Sequence, residues 1–185
     1  MSTYKIAVIV GSLRRESFNR KLAGALTMLA PSDFTLTALQ VNDLPPYNQD
    51  DDDNQAPQVR RFKTDISASD GVIFVTPEYN RSIPGVLKNA IDHASRPYGQ
   101  SVWAGKPAAV IGVSPGAIAT AVAQQHLRNI LAYLDMPTLG QPEAFLQYAD
   151  DLFNSDGSVG DASRDFLRSW MDRYVAFVRS RVGKT

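Results

Sequence analysis

Two short segments concentrate the side chains able to recognise an anion or a flat heteroaromatic ligand. The first, Gly11-Ser12-Leu13-Arg14-Arg15-Glu16-Ser17-Phe18-Asn19-Arg20, follows an apolar run from Tyr4 to Val10 and leads into a helical pattern. It offers hydroxyls at Ser12 and Ser17, an amide at Asn19, a guanidinium at Arg14 and the backbone N–H groups of a helix N-terminus. Such donors suit a terminal phosphate dianion, which the helix dipole also favours. A phosphomonoester, with three free oxygens, needs such a cup more than a pyrophosphate does. The segment is not G-x-G-x-x-G, because the later glycines are absent, and it lacks the lysine and magnesium-binding hydroxyl of G-x-x-x-x-G-K-[ST]. On composition alone one alternative stays open: an ordinary loop in which Ser17 or Asn19 caps the helix.

The second segment is Thr76-Pro77-Glu78-Tyr79-Asn80-Arg81-Ser82-Ile83-Pro84-Gly85. Its prolines stiffen the backbone. A stiff loop can present N–H groups to a heteroaromatic edge, with Tyr79 alongside. A rigid turn whose Tyr79 packs a neighbour is the competing reading. A third segment, Ser114-Pro115-Gly116-Ala117-Ile118-Ala119, is small enough to pass close to a ligand. The chain has no cysteine, which excludes disulfides, thiolate nucleophiles and Cys-ligated metals. Its histidines are His93 and His126, and a surface or subunit-contact role suits His126 better than acid catalysis.

The elements that must carry these segments are legible as periodicities. Tyr4 to Val10, Gly71 to Thr76 and Pro107 to Val113 are continuous apolar runs, as expected of strands buried on both faces. Phe34 to Val41 alternates like an edge strand, and a weaker fifth strand is expected around Thr138 to Leu146. Between them, Phe18/Leu22/Leu26/Leu29, Val59/Phe62/Ile66, Val86 to Ala94, Val122 to Leu134 and Phe166 to Val178 carry helical spacing. The aromatics of the last helix, Phe166, Trp170, Tyr174 and Phe177, read as core. Asp50 to Gln55 reads as a solvated loop between the second strand and the second helix. Alternating buried strands and amphipathic helices predict one α/β unit over residues 1–185: a flavodoxin-like three-layer sandwich with a five-stranded parallel sheet in the order 2-1-3-4-5. In such a sheet, ligands bind at the carboxyl ends of the strands near the switch in strand order, where all three segments fall.

Composition narrows the partners. The 185 residues carry 19 Lys+Arg and 19 Asp+Glu, so no basic excess exists to drive binding to nucleic acid. The N-terminal apolar run is far shorter than the roughly 20 residues a membrane span needs, and it lacks the features of a signal peptide. A cytoplasmic protein that binds neither membrane nor nucleic acid is expected.

The pairing of GSLRRESFNR after the first strand with TPEYNRSIPGVLKNAIDHASR after the third resembles the NAD(P)H-dependent FMN reductase family, in its quinone and chromate reductase branch. The similarity continues through AGKPAAVIGVSPG and QQHLRNIL. The resemblance implies FMN as cofactor and NADPH or NADH as electron donor. Hydride would pass to flavin N5, followed by two-electron reduction of a small-molecule acceptor: a quinone, chromate, an azo or nitro compound, or free flavin. Carried over by position, Ser12, Arg14, Ser17 and Asn19 match the FMN phosphate loop, with Leu13, Arg15, Glu16 and Phe18 supplying backbone. Pro77, Glu78, Tyr79 and Asn80 match the segment along the isoalloxazine ring, and Val113, Ser114 and Gly116 the loop near its other edge. No protein group need act as catalyst and no metal is implied, because the flavin carries the reaction. The resemblance also implies a homodimer or homotetramer. Glu78 reads equally as a ring contact or a structural ion pair, and Trp103 as an acceptor-pocket cap or as core. The rival is a flavodoxin-type module passing single electrons to a protein partner, although such modules are usually strongly acidic.

Overall fold

The computed structural model describes residues 3–183. The outermost positions of the expected 1–185 unit, Met1, Ser2, Lys184 and Thr185, lie outside the described residues. Five strands, β1 (Tyr4–Val10), β2 (Phe34–Ala38), β3 (Gly71–Val75), β4 (Ala108–Ser114) and β5 (Ala144–Gln147), form one sheet in the order β2-β1-β3-β4-β5. All pairings are parallel. The helices are α1 (Phe18–Leu29), α2 (Pro57–Ser67), α3 (Gly85–Ala94), α4 (Ala121–Tyr133) and α5 (Asp161–Arg181). The predicted architecture is therefore the observed one.

The continuous apolar runs have a simple cause. Successive side chains of a strand point to opposite faces, and both faces here are covered. Ile6, Val8, Ile73 and Ile111 share a core with Leu22 and Leu26 of α1 and with Trp170 and Tyr174 of α5. Their neighbours Ala7, Ile9, Phe74 and Val110 join the core on the other face, with Phe62 of α2, Leu87 of α3 and Leu127 of α4. Leu22, Leu26, Leu87 and Leu127 are each fully buried. Truncating such a leucine to alanine costs about 2–5 kcal/mol. That cost holds α1, α3 and α4, and hence the loops at their N-terminal ends, against the sheet.

Several expectations shift in detail. The edge strand β2 stops at Ala38 rather than Val41. The fifth strand begins at Ala144, because Thr138 makes only a single bridge to Ala108. The aspartate run is not a bare loop: residues Gln49–Asn54 form a 3₁₀ helix whose Asn48 side chain accepts the Asp50 N–H. Trp103 is core, with its indole N–H donating to the Ile91 carbonyl at 3.0 Å and its ring near those of Phe62 and Phe74. Trp170 and Tyr174 are buried as expected and Phe177 partly so, but Phe166, in the first turns of α5, is 40% exposed. Among the described residues no helix is long and apolar enough to cross a membrane.

Candidate active site

Parallel pairing in register sets β1, β3 and β4 ending side by side: Val10 pairs with Val75, and Val75 with Ile111. The chain leaves β1 outward to β2 and returns to β3, so the switch in strand order falls between β1 and β3. The loops Gly11–Ser17, Thr76–Pro84 and Pro115–Thr120 leave this edge together. Gly112 of β4 permits the close approach. A Cβ there would stand 2.0 Å from the Thr76 carbonyl oxygen and 2.8 Å from the Thr120 hydroxyl.

The first loop ends in a capped helix. The Ser17 hydroxyl oxygen accepts the Arg20 N–H at 3.2 Å, which leaves its own proton free to donate. The Ser12 oxygen accepts the Arg14 N–H over a longer 3.4 Å. The backbone N–H groups of Arg15, Glu16 and Ser17 have no acceptor among the described residues. They precede the N-terminus of α1, where the partial positive charge of the helix adds to theirs. Arg14 is held beside them: its guanidinium lies 4.5 Å over the Phe18 ring and donates to the Glu16 carbonyl. Phe18 in turn stacks on Tyr148, centroids 3.8 Å apart.

Asn19 departs from its expected role. Its amide donates to the Val113 carbonyl at 2.8 Å and accepts the Val113 N–H at 3.0 Å, in the buried interior. Both functions of the side chain are committed to β4. Asn19 therefore ties the first loop to the third rather than pointing at a ligand.

The second loop is a tight hairpin. Tyr79 and Ser82 exchange both backbone hydrogen bonds at 3.0 Å, and Asn80 and Arg81 between them have φ of 52° and 63°. That is the turn with two left-handed central residues. It leaves Tyr79 50% exposed at the mouth of the site. Glu78 takes the structural one of its two expected readings. One carboxylate oxygen accepts the N–H groups of Val122 and Ala123, each at 3.0 Å. Thr120, the residue preceding α4, makes no side-chain cap, so Glu78 caps that helix from 44 residues away. Its other oxygen meets Arg81 at 3.2 Å. The carboxylate is a clamp between the second loop and α4, and its side chain is largely buried. His126 adds a further tie, with Nδ1 3.1 Å from the Ser82 hydroxyl. His93 serves elsewhere, with Nε2 2.8 Å from the Pro45 carbonyl.

The expected residues fall into adjoining spaces. A cleft of about 270 Å³ lies between Ser12, Arg14 and Ser17 on one side and Pro77, Tyr79 and Ser114 on the other. Phe18, Asn19, Glu78 and Val113 complete its walls. Asn80 and Gly116 line a second cleft, of about 470 Å³, which shares Glu78 and Ser114 with the first. Leu13 faces away, toward the β2 side. Arg15 and Glu16 are exposed at the tip of the loop and line neither cleft. The expectation missed Arg81, Ala117, Ile118 and Ala119 of the second cleft, Pro115 of the first, and Phe18's partner Tyr148. Arg81 sits inside the segment TPEYNRSIPG and was within reach. Tyr148 comes from beyond β5 with no local signal. No group of three or more metal-ligating side chains is found among the described residues.

Fold and site together define a flavodoxin-like α/β protein with a composite cleft at its topological switch point, edged by a helix N-terminus that suits an anion. The chain belongs to the NADPH-dependent FMN reductase family, whose profile matches residues 4–151. It is 53% identical over 178 residues to a 2-hydroxy-1,4-benzoquinone reductase of a Burkholderia species, covering 96% of this chain and 97% of that protein. A quinone reductase of Pseudomonas putida is 52% identical over 177 residues, 95% of each chain. Among solved structures, the flavoenzyme NAD(P)H:(acceptor) oxidoreductase of Paracoccus denitrificans superposes with a TM-score of 0.93 at 44% identity, covering 97% of this chain and 99% of that one.

Proposed function

We propose that the chain is an FMN-dependent NAD(P)H oxidoreductase that reduces quinones and related small acceptors by two electrons. The observation that carries this reading is the cradle at the start of α1. Three consecutive amides without an acceptor, two hydroxyl protons and one guanidinium converge there, a donor set that fits a phosphate monoester. Membership of the FMN reductase family agrees with it, as do relatives named quinone reductases. Bound FMN supplies hydride acceptance and donation at a single ring nitrogen, so the protein needs no nucleophile.

The chain's own residues hold and orient. Ser12, Arg14, Ser17 and the amides of residues 15–17 bind the phosphate. Asn19 and Glu78 fix the three loops against one another. Pro77, Tyr79 and Asn80 would hold one edge of the ring, and Val113, Ser114 and Gly116 the other. The N–H groups of Asn80 and Ala117 have no acceptor among the described residues and stand ready for negative charge on the ring's polar edge. The open 470 Å³ cleft that adjoins the first would admit NADPH or NADH and then the acceptor in turn. Overall, NAD(P)H, a quinone and one proton become NAD(P)⁺ and a hydroquinone.

A homodimer or homotetramer, the cytoplasm and one domain over residues 1–185 complete the reading. The single-electron alternative gains nothing from the balanced charge of 19 against 19. Purified protein is expected to be yellow, to release FMN on denaturation, and to oxidise NADPH or NADH in the presence of 1,4-benzoquinone. Colourless protein that takes up no FMN, or a flavin bleached by neither nucleotide, would refute the reading.

A further inference from the structure

Arg81 is in an unfavourable place for its type. It is the second central residue of the Tyr79–Ser82 turn, with φ of 63°, where such hairpins prefer glycine. Turn chemistry accounts for Asn80 before it but not for an arginine. Local rules are broken most often where a side chain has another task. This side chain lines the 470 Å³ cleft, and 64% of it is exposed. One of its nitrogens meets Glu78 at 3.2 Å, and its remaining N–H groups have no acceptor among the described residues.

The charge of Arg81 is only partly offset by that contact. Glu78 is already balanced from the other side, by the Val122 and Ala123 amides and the positive end of α4. The other groups around the cleft are uncharged, among them Asn80, Ser114 and Ile118. A space that is small-walled and partly apolar, with free guanidinium N–H groups on its wall, favours a planar acceptor bearing a negative oxygen.

We propose that Arg81 sets acceptor specificity: it pairs with the ionised oxygen of hydroxyquinones and favours them over neutral quinones. This rests on the reading of the chain as a quinone reductase. A hydroxyl directly on a quinone ring is a vinylogous carboxylic acid and is ionised at neutral pH, so it presents the oxygen that a guanidinium binds best. The reaction is unchanged in kind. The ionised acceptor gains a hydride equivalent from NAD(P)H and two protons from water to become a trihydroxybenzene, and NAD(P)H is oxidised to NAD(P)⁺.

The test compares kcat/KM for 2-hydroxy-1,4-benzoquinone with that for 1,4-benzoquinone, at saturating NADPH, in the holoenzyme and in Arg81→Gln. The ratio is expected to fall about fivefold in the variant, the scale of one partly exposed charge pair. Arg81→Lys should keep part of it. In the wild type, raising the salt should lower the ratio. Arg81→Gly, which suits the turn, should lose selectivity while melting no lower than the wild type. An unchanged ratio in Arg81→Gln overturns the proposal. So does a raised KM for NADPH with the ratio intact, which would assign Arg81 to the nucleotide's phosphates. A wild type that reduces neither quinone would refute the underlying reading instead, a result distinct from equal losses on both acceptors.

Discussion

Asn19→Ala separates a ligand-binding asparagine from a structural one. In the folded chain its amide closes a two-point bond with the Val113 backbone, at 2.8 and 3.0 Å, in the buried interior. Alanine removes both partners and leaves the Val113 N–H and carbonyl unsatisfied. Each buried group left without a partner costs about 1–3 kcal/mol. With some relief from water or shifted backbone, the variant should lose about 2–4 kcal/mol of stability. Asn19→Asp should be no better, because a carboxylate opposes the Val113 carbonyl where the amide donated. The assay is urea unfolding of the apoprotein, followed by far-UV circular dichroism. FMN is absent from it, so a ligand contact cannot contribute. An Asn19→Ala apoprotein within about 0.5 kcal/mol of wild type, the usual scatter of neutral surface changes, would refute the structural assignment.

Two further outcomes concern the scaffold. The Tyr174 hydroxyl is buried with no partner among the described residues, and burial pushes its ionisation well above the usual phenol range. Tyr174→Phe should therefore hold or raise stability, by up to about 1 kcal/mol, and a loss of more than that in urea melts would reveal a partner for the hydroxyl. Asp43 is bound by both terminal nitrogens of Arg61, at 2.7 and 3.1 Å, and that hydrogen bonding holds its carboxyl below the usual carboxylate range. A carboxyl with a lowered folded pKa stabilises above its unfolded value and loses that contribution as pH falls through the folded one. Both side chains are about a third exposed, so Asp43→Asn should cost no more than about 1 kcal/mol at pH 7, with the gap closing below pH 4; a gap that widens in acid would contradict the assignment.

What sequence reasoning reached, and what it missed, divides by range. β1, β3 and β4 were legible because a strand covered on both faces must be apolar throughout. The place where the three loops gather followed from the strand order, since the parallel strands β1, β3 and β4 end side by side. Side-chain direction was not legible where the partner is distant. Asn19 finds Val113 94 residues on, and Glu78 finds α4 44 residues on. Neither bond leaves a local pattern. Phe166 shared the spacing of Trp170 and Tyr174 yet stands 40% exposed, because helical period alone does not say where along α5 the sheet's cover ends. The hairpin at Asn80 and Arg81 escaped for the opposite reason: its sequence breaks the glycine rule by which such turns are recognised.

The central claim is that the segment Ser12–Ser17 holds a phosphate monoester. It is tested most directly by titrating wild-type and Arg14→Ala apoproteins with FMN and with riboflavin, which lacks the phosphate, by flavin fluorescence quenching. The account predicts that FMN binds the wild type far more tightly than riboflavin does. It predicts that Arg14→Ala weakens FMN about tenfold, the scale of a charge-assisted bond at a partly exposed site, while riboflavin affinity stays the same. Equal affinity of the wild type for the two flavins, or an Arg14→Ala loss that is the same for both, would contradict it.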